Sequence, residues 1–142
     1  MLIIDGKDLI LGRLATFTAK KLLEGERVTI INAAEVLISG RRDAILEEYR
    51  AWLETRTVTN PRKGPFHPKQ PEDLVRKSVR GMLPWKTARG KDAFRRLRVH
   101  RGAPEDLAGK EKVALPDASL ERLGTGRYLK LEKLSKLLGA KA

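Results

Sequence analysis

The chain has 142 residues, 41% of them hydrophobic, with 30 Lys or Arg against 18 Asp or Glu. That length and apolar content are enough for one folded core and exclude a chain disordered by composition. The net charge of +12 points to a polyanionic partner, and the lack of cysteine excludes disulfides and thiolate metal sites, as suits a reducing compartment. Leu2 to Asp5 is a short apolar run and reads as a buried strand. A helix over Leu11 to Glu24 follows, with Leu11, Leu14, Ala15 and Leu22 near one face and Gly25 as its stop. Val28 to Ile31 is a second apolar run rich in β-branched residues. Strand, helix and strand at this spacing predict a βαβ unit with parallel strands. A third short strand is expected near Val36 to Ile38.

Ser39-Gly40 opens a second helix, Arg42 to Thr55, with Ile45, Tyr49, Trp52 and Leu53 as its apolar stripe. The stretch TNPRKGPFHPKQP, Thr59 to Pro71, is too rich in proline for regular structure and reads as an extended basic loop, mobile in the free protein. Pro71, Glu72 and Asp73 suit the first turn of a third helix, whose Val75, Val79 and Met82 share a face before Pro84 ends it. A fourth helix, Ala88 to Leu97, turns Ala93, Phe94 and Leu97 inward. Arg98 to Arg101 is a strand candidate and Val113 to Leu115 another. In the tail, Leu131, Leu134 and Leu138 keep helical spacing up to Gly139. The whole, residues 1–142, reads as a single domain.

The charge is unevenly spread. Residues 56 to 102 hold 14 Lys or Arg and 3 acids, whereas the other 95 residues hold 16 and 15. Nearly all the excess therefore lies in the middle third, interleaved with Phe66, Trp85 and Phe94. Apolar residues there pin two helices to a scaffold while Lys77, Arg80, Lys91, Arg95, Arg98 and their neighbours stand outward, which is the pattern of a nucleic-acid interface. Arginine suits this task because its planar fork grips phosphate oxygens in pairs and stacks on bases.

Enzyme and cofactor signals are missing from the sequence. The turn DGKDLILGR lacks the glycines of a dinucleotide site. Gly90-Lys91 is followed by Asp92 where a phosphate loop needs Ser or Thr. His67 and His100 have no partner at metal-binding spacing, and no serine has a nucleophile-elbow context. No apolar run reaches the roughly 18 residues of a membrane span, and the N-terminus lacks a signal-peptide pattern. No cofactor, small-molecule substrate or membrane partner is expected.

Several long motifs occur in order: LGRLA at Leu11 to Ala15, IINA at Ile30 to Ala33, NPRKGPFH at Asn60 to His67, VRGMLP at Val79 to Pro84, and KTARGKDAFRRLRV with Gly102 and Pro104 after it. Together they resemble the archaeal and eukaryotic branch of the large-subunit ribosomal protein thirteen family, and the chain looks like an archaeal member. The resemblance implies an α/β fold: a three-layer α/β/α domain with a mainly parallel four-stranded sheet, here with a basic helical and loop insertion. It implies a non-catalytic structural role on large-subunit ribosomal RNA, support of subunit assembly, neighbouring large-subunit ribosomal proteins as partners, and a cytoplasmic location. By motif, its RNA-facing positions fall on Arg62, Lys63, His67, Arg80, Lys86, Arg89, Arg95 and Arg96. Gly12 is read as a tight strand-to-helix entry and Arg13 as a phosphate contact. An RNA-modifying or nucleotide-dependent enzyme on a similar sheet is the competing reading.

Overall fold

A computed structural model describes residues 1–65, 67–124 and 126–140. Strand β1 (Leu2–Asp5) leads into helix α1 (Leu11–Leu23), which returns the chain to β2 (Val28–Ile31). Then come β3 (Leu37–Ser39), α2 (Arg42–Glu54), α3 (Pro71–Met82), α4 (Ala88–Arg95) and β4 (Leu97–Val99). A short α5 (Glu105–Ala108), β5 (Tyr128–Lys130) and α6 (Leu131–Leu137) complete the described order, with 3₁₀ turns between.

The central sheet has the order β1-β2-β4, all parallel. Val28 stands opposite both Leu2 and Leu97, and Ile30 opposite Ile4 and Val99. These residues share one face, and Ile4, Val28, Ile30 and Leu97 join the main core. All four residues of β2 are buried, which is why its sequence is apolar throughout rather than alternating. Helix α1 packs its Leu14, Ala15 and Leu22 into the same core and lies against α3 and α4.

Several expectations need correction. The sheet is not four-stranded: three parallel strands form one sheet, and β3 pairs antiparallel with β5 in a separate two-stranded ribbon. The candidate strand at Val113 to Leu115 reduces to a single bridge on the open edge of β1, where Val113 N–H donates to Ile3 O at 2.8 Å. Pro116 begins a 3₁₀ turn immediately after, and its missing N–H cannot continue a ladder. Second, the basic segment is no insertion. Val75 and Val79 of α3 and Ala93 of α4 are fully buried, and β4 is a strand of the central sheet. Third, α4 ends at Arg95 because Leu97 is taken up in pairing with Val28.

Gly12 is also not a tight entry. A Cβ there would meet nothing within 4 Å. The most crowded glycine among the described residues is Gly90, where a Cβ would collide with the Pro84 carbonyl.

Candidate nucleic-acid interface

Helices α3 and α4 form a platform with one face in the core and the other in water. Pro71 opens α3 with Glu72 and Asp73 in its first turn, at the end of the dipole that favours acids. Leu83 is extended, as a residue before proline tends to be, and this ends the helix. The Thr87 hydroxyl caps α4 by accepting from Gly90 N–H at 3.3 Å, while donating to Pro84 O at 2.8 Å. The α3–α4 corner is thus locked by Thr87 and by the close approach of Gly90 to Pro84.

The cations divide by what holds them. Lys77, Arg80, Lys86, Arg89, Lys91 and Arg95 are all exposed on this platform. Trp85 and Phe94 meet edge-on at 5.2 Å between ring centres, both half-buried. Arg80 lies over Trp85 at 4.3 Å, and Arg76 over Phe94 at 5.1 Å. Each guanidinium is therefore steadied by an aromatic face without losing its hydrogen-bond donors. Lys77 Nζ stands 3.3 Å from the centre of the Trp52 ring, and this desolvation lowers its pKa from the usual 10.5. Arg95 makes only a long, exposed contact with Asp92 at 3.5 Å, so its charge stays available.

The basic loop has its own frame. The Asn60 side chain accepts from Arg62 N–H at 3.2 Å, and Gly64 N–H donates to Pro61 O at 3.2 Å. The resulting 3₁₀ turn, Pro61–Lys63, holds Arg62 and Lys63 outward. His67 Nε2 lies 2.7 Å from Thr55 O, and its ring meets Trp52 edge-on at 4.6 Å. A carbonyl only accepts, so Nε2 carries the proton. His67 thus closes the loop onto α2. Phe66, named with the aromatic residues of this segment, lies outside the described residues.

Three further arginines were expected to face RNA. Arg96 donates from Nη2 to Leu22 O at 2.6 Å and is half-buried, so it ties α4 to the end of α1. Arg13 is exposed but donates to Asp117 O at 2.8 Å, fastening α1 to the 3₁₀ turn Pro116–Ala118. Arg98 is exposed on the sheet face opposite the main core, level with Ile3 and Thr29, and donates to the carbonyls of Arg95 and Leu97. Sequence reasoning overlooked Arg76 and Trp52, which supports Lys77 and His67 together. Trp52 was legible as an apolar position, but its two charged and polar neighbours come from α3 and the loop, which no local pattern reveals.

Electrostatically the platform is suited to a polyanion. Among the described residues no group of three or more His, Asp or Glu is placed to hold a metal ion. None of the described helices is long and apolar enough to cross a membrane.

Residues 1–106 match the model of the family described as ribosomal protein L13. The chain belongs to the ribosomal protein L13 family. A "large ribosomal subunit protein uL13" from Methanosphaera stadtmanae is 43% identical over 98% of this chain and 97% of its own length. A protein of the same description from Archaeoglobus fulgidus is 44% identical over 96% of this chain and 86% of its own length. One from Methanocaldococcus jannaschii is 42% identical over 99% of both chains. These relatives are archaeal, and the L13 family is one of ribosomal structural proteins, not enzymes. The family match takes in all of the cationic platform, whereas β5 and α6 lie beyond it and are covered by the full-length relatives.

Proposed function

We propose that this protein is a structural constituent of the large ribosomal subunit and that its α3–α4 platform grips ribosomal RNA. One observation carries the reading: α4 is anchored in the core by Ala93, and Arg89, Lys91 and Arg95 on it, with Lys86 in the turn before it, are exposed, the Arg95–Asp92 contact being their one ion pair among the described residues. Rigid cations lose little conformational freedom on binding, so their attraction to phosphate is retained. Arg62 and Lys63 extend the face from the loop, and Lys77 and Arg80 join it along α3. His67, Arg96 and Arg13 serve chiefly to hold these elements in place, with Arg98 on the far sheet face as a separate contact.

Residues 1–142 act as one unit in this reading. The partners are large-subunit ribosomal RNA and neighbouring proteins of that subunit, in the cytoplasm. The family membership and the archaeal relatives support it. Tagged protein should co-sediment with large subunits through high-salt gradients, and a variant carrying Lys86→Ala, Arg89→Ala and Arg95→Ala should be depleted from them. Full retention of that variant would remove the platform from the interface. Failure of the wild type to enter subunits would remove the ribosomal reading itself.

A further inference from the structure

A second, smaller concentration of cations lies outside the middle segment. Gly40 N–H donates to Arg127 O at 3.0 Å, joining the end of β3 to the start of β5. Arg41 and Arg42 open α2 beside this junction, and Arg127 precedes Tyr128. With Asp43 they line an open depression of 690 Å³. All three arginines are exposed, and among the described residues none makes an ion pair or donates a side-chain hydrogen bond. Tyr128 is 41% exposed, unusually open for a tyrosine in a strand.

The fold gives no reason for these arginines. Arg41 occupies the N-cap of α2 and provides no side-chain cap, where Ser, Thr, Asp or Asn would satisfy a helix N–H. Arg42 follows in the first turn, so both cations face the positive end of the helix dipole and are repelled by it. Only Asp43 offsets them. Positive charge held at a cost to folding, and unpaired within the chain, implies an anion from outside.

The corner is distinct from the platform. It is built from the end of β3, the start of α2 and the start of β5, and none of its lining residues belongs to α3 or α4. We infer that Arg41, Arg42 and Arg127 form a second RNA-binding surface, which takes the phosphate backbone of a separate segment of ribosomal RNA. The arginine forks suit paired phosphate oxygens, and the exposed Tyr128 ring offers a stacking face to an unpaired base. The inference rests on the ribosomal RNA reading above and adds to it: two cationic surfaces built on different elements let one protein tie two RNA segments together.

Hydroxyl-radical footprinting of the full chain on large-subunit ribosomal RNA tests this. Three proteins are compared: the wild type, a corner variant (Arg41→Ala, Arg42→Ala, Arg127→Ala) and a platform variant (Lys86→Ala, Arg89→Ala, Arg95→Ala). The corner variant should fold as the wild type does, lose affinity by about tenfold at ~0.1 M salt, and lose protection of one RNA segment while keeping the platform's segment. A corner variant with wild-type affinity and footprint would overturn the second surface while leaving the ribosomal reading intact. Loss of the same segment by both variants would also overturn it, because the two patches would then be one face. A wild type that leaves ribosomal RNA unprotected would overturn both.

Discussion

Arg96 reaches across the fold to Leu22: its Nη2 donates to the Leu22 carbonyl at 2.6 Å, in the last turn of α1. The Leu22 carbonyl already accepts from Gly25 N–H at 3.1 Å and lies at the negative end of the helix dipole, so the guanidinium adds a charge-assisted bond where positive charge is favoured. Its neighbour Arg95 points into water with only Asp92 at 3.5 Å. Two adjacent arginines therefore do different work, one joining α1 to α4 and one presenting charge.

Arg96→Ala should accordingly destabilise the protein by about 1.5–3 kcal/mol, the usual worth of a hydrogen bond involving a charged group. Arg95→Ala should change stability by no more than about 0.5 kcal/mol, as for an exposed surface site. Urea denaturation of the two single variants separates them. Equal midpoints would mean that the Leu22 contact contributes nothing to folding.

The α3–α4 corner predicts a sharp contrast between glycines. A Cβ at Gly90 would run into the Pro84 carbonyl and crowd Trp85 N at 3.0 Å, and both are backbone atoms that cannot rotate away. Gly90→Ala should cost at least about 1–3 kcal/mol, as overpacking does, and should shift α4 with its cations. Gly12→Ala meets nothing within 4 Å in a helix and should stabilise by about 0.4–1 kcal/mol through the unfolded chain. Thermal melts of both variants check the pair, and a harmless Gly90→Ala would mean that α4 packs less closely than described.

Tyr49 and Lys77 flank Trp52 and give the alkaline range a signature. Burial, and then the charge of Glu48, raise the Tyr49 pKa above its usual 10.0. Above pH 10 the unfolded phenol ionises first, so the folded state holds more protons and stability falls as pH climbs through the raised folded value. Lys77 works in the opposite sense: its lowered pKa lets the folded chain lose the proton first, so its contribution rises between that value and 10.5. Tyr49→Phe should remove the fall and leave the Lys77 rise. Denaturation midpoints from about pH 9 to about pH 11.5 should diverge between wild type and variant only above about pH 10. Parallel curves would place the Tyr49 hydroxyl in water.

How much of this was legible in the sequence depends on the range of each signal. The buried face of α1 followed from Leu11, Leu14, Ala15 and Leu22, because helical periodicity is local. The burial of β2 followed from an unbroken apolar run, and the placement of the cations from composition alone. The β3–β5 ribbon was hidden, since two three-residue strands far apart in sequence carry no pairing signal. The roles of Arg96 and His67 were hidden for another reason. Their acceptors are backbone carbonyls, at Leu22 and Thr55, which leave no side-chain mark in the sequence. Val113 kept its strand-like residues, but Pro116 cut the ladder to one bridge.

Lys86, Arg89 and Arg95 are exposed, lie off the buried stripe, and stand on or beside a helix locked by Thr87 and Gly90. If each meets a phosphate, binding releases condensed counterions, and affinity falls linearly with salt on a log–log scale. Each contact removed should flatten that slope by about 0.7–0.9, so the triple alanine variant should lose about two to three units. Its melting temperature should stay near the wild type, because none of the three side chains is buried. Arg96→Ala supplies the contrast: it should lower the melting temperature and, at temperatures where the chain stays folded, leave the slope nearly unchanged. The competing account is that the three cations only keep the protein soluble. Titrations of ribosomal RNA between about 0.05 M and 0.3 M salt distinguish the two, since solubilising charges would leave both affinity and slope where the wild type has them.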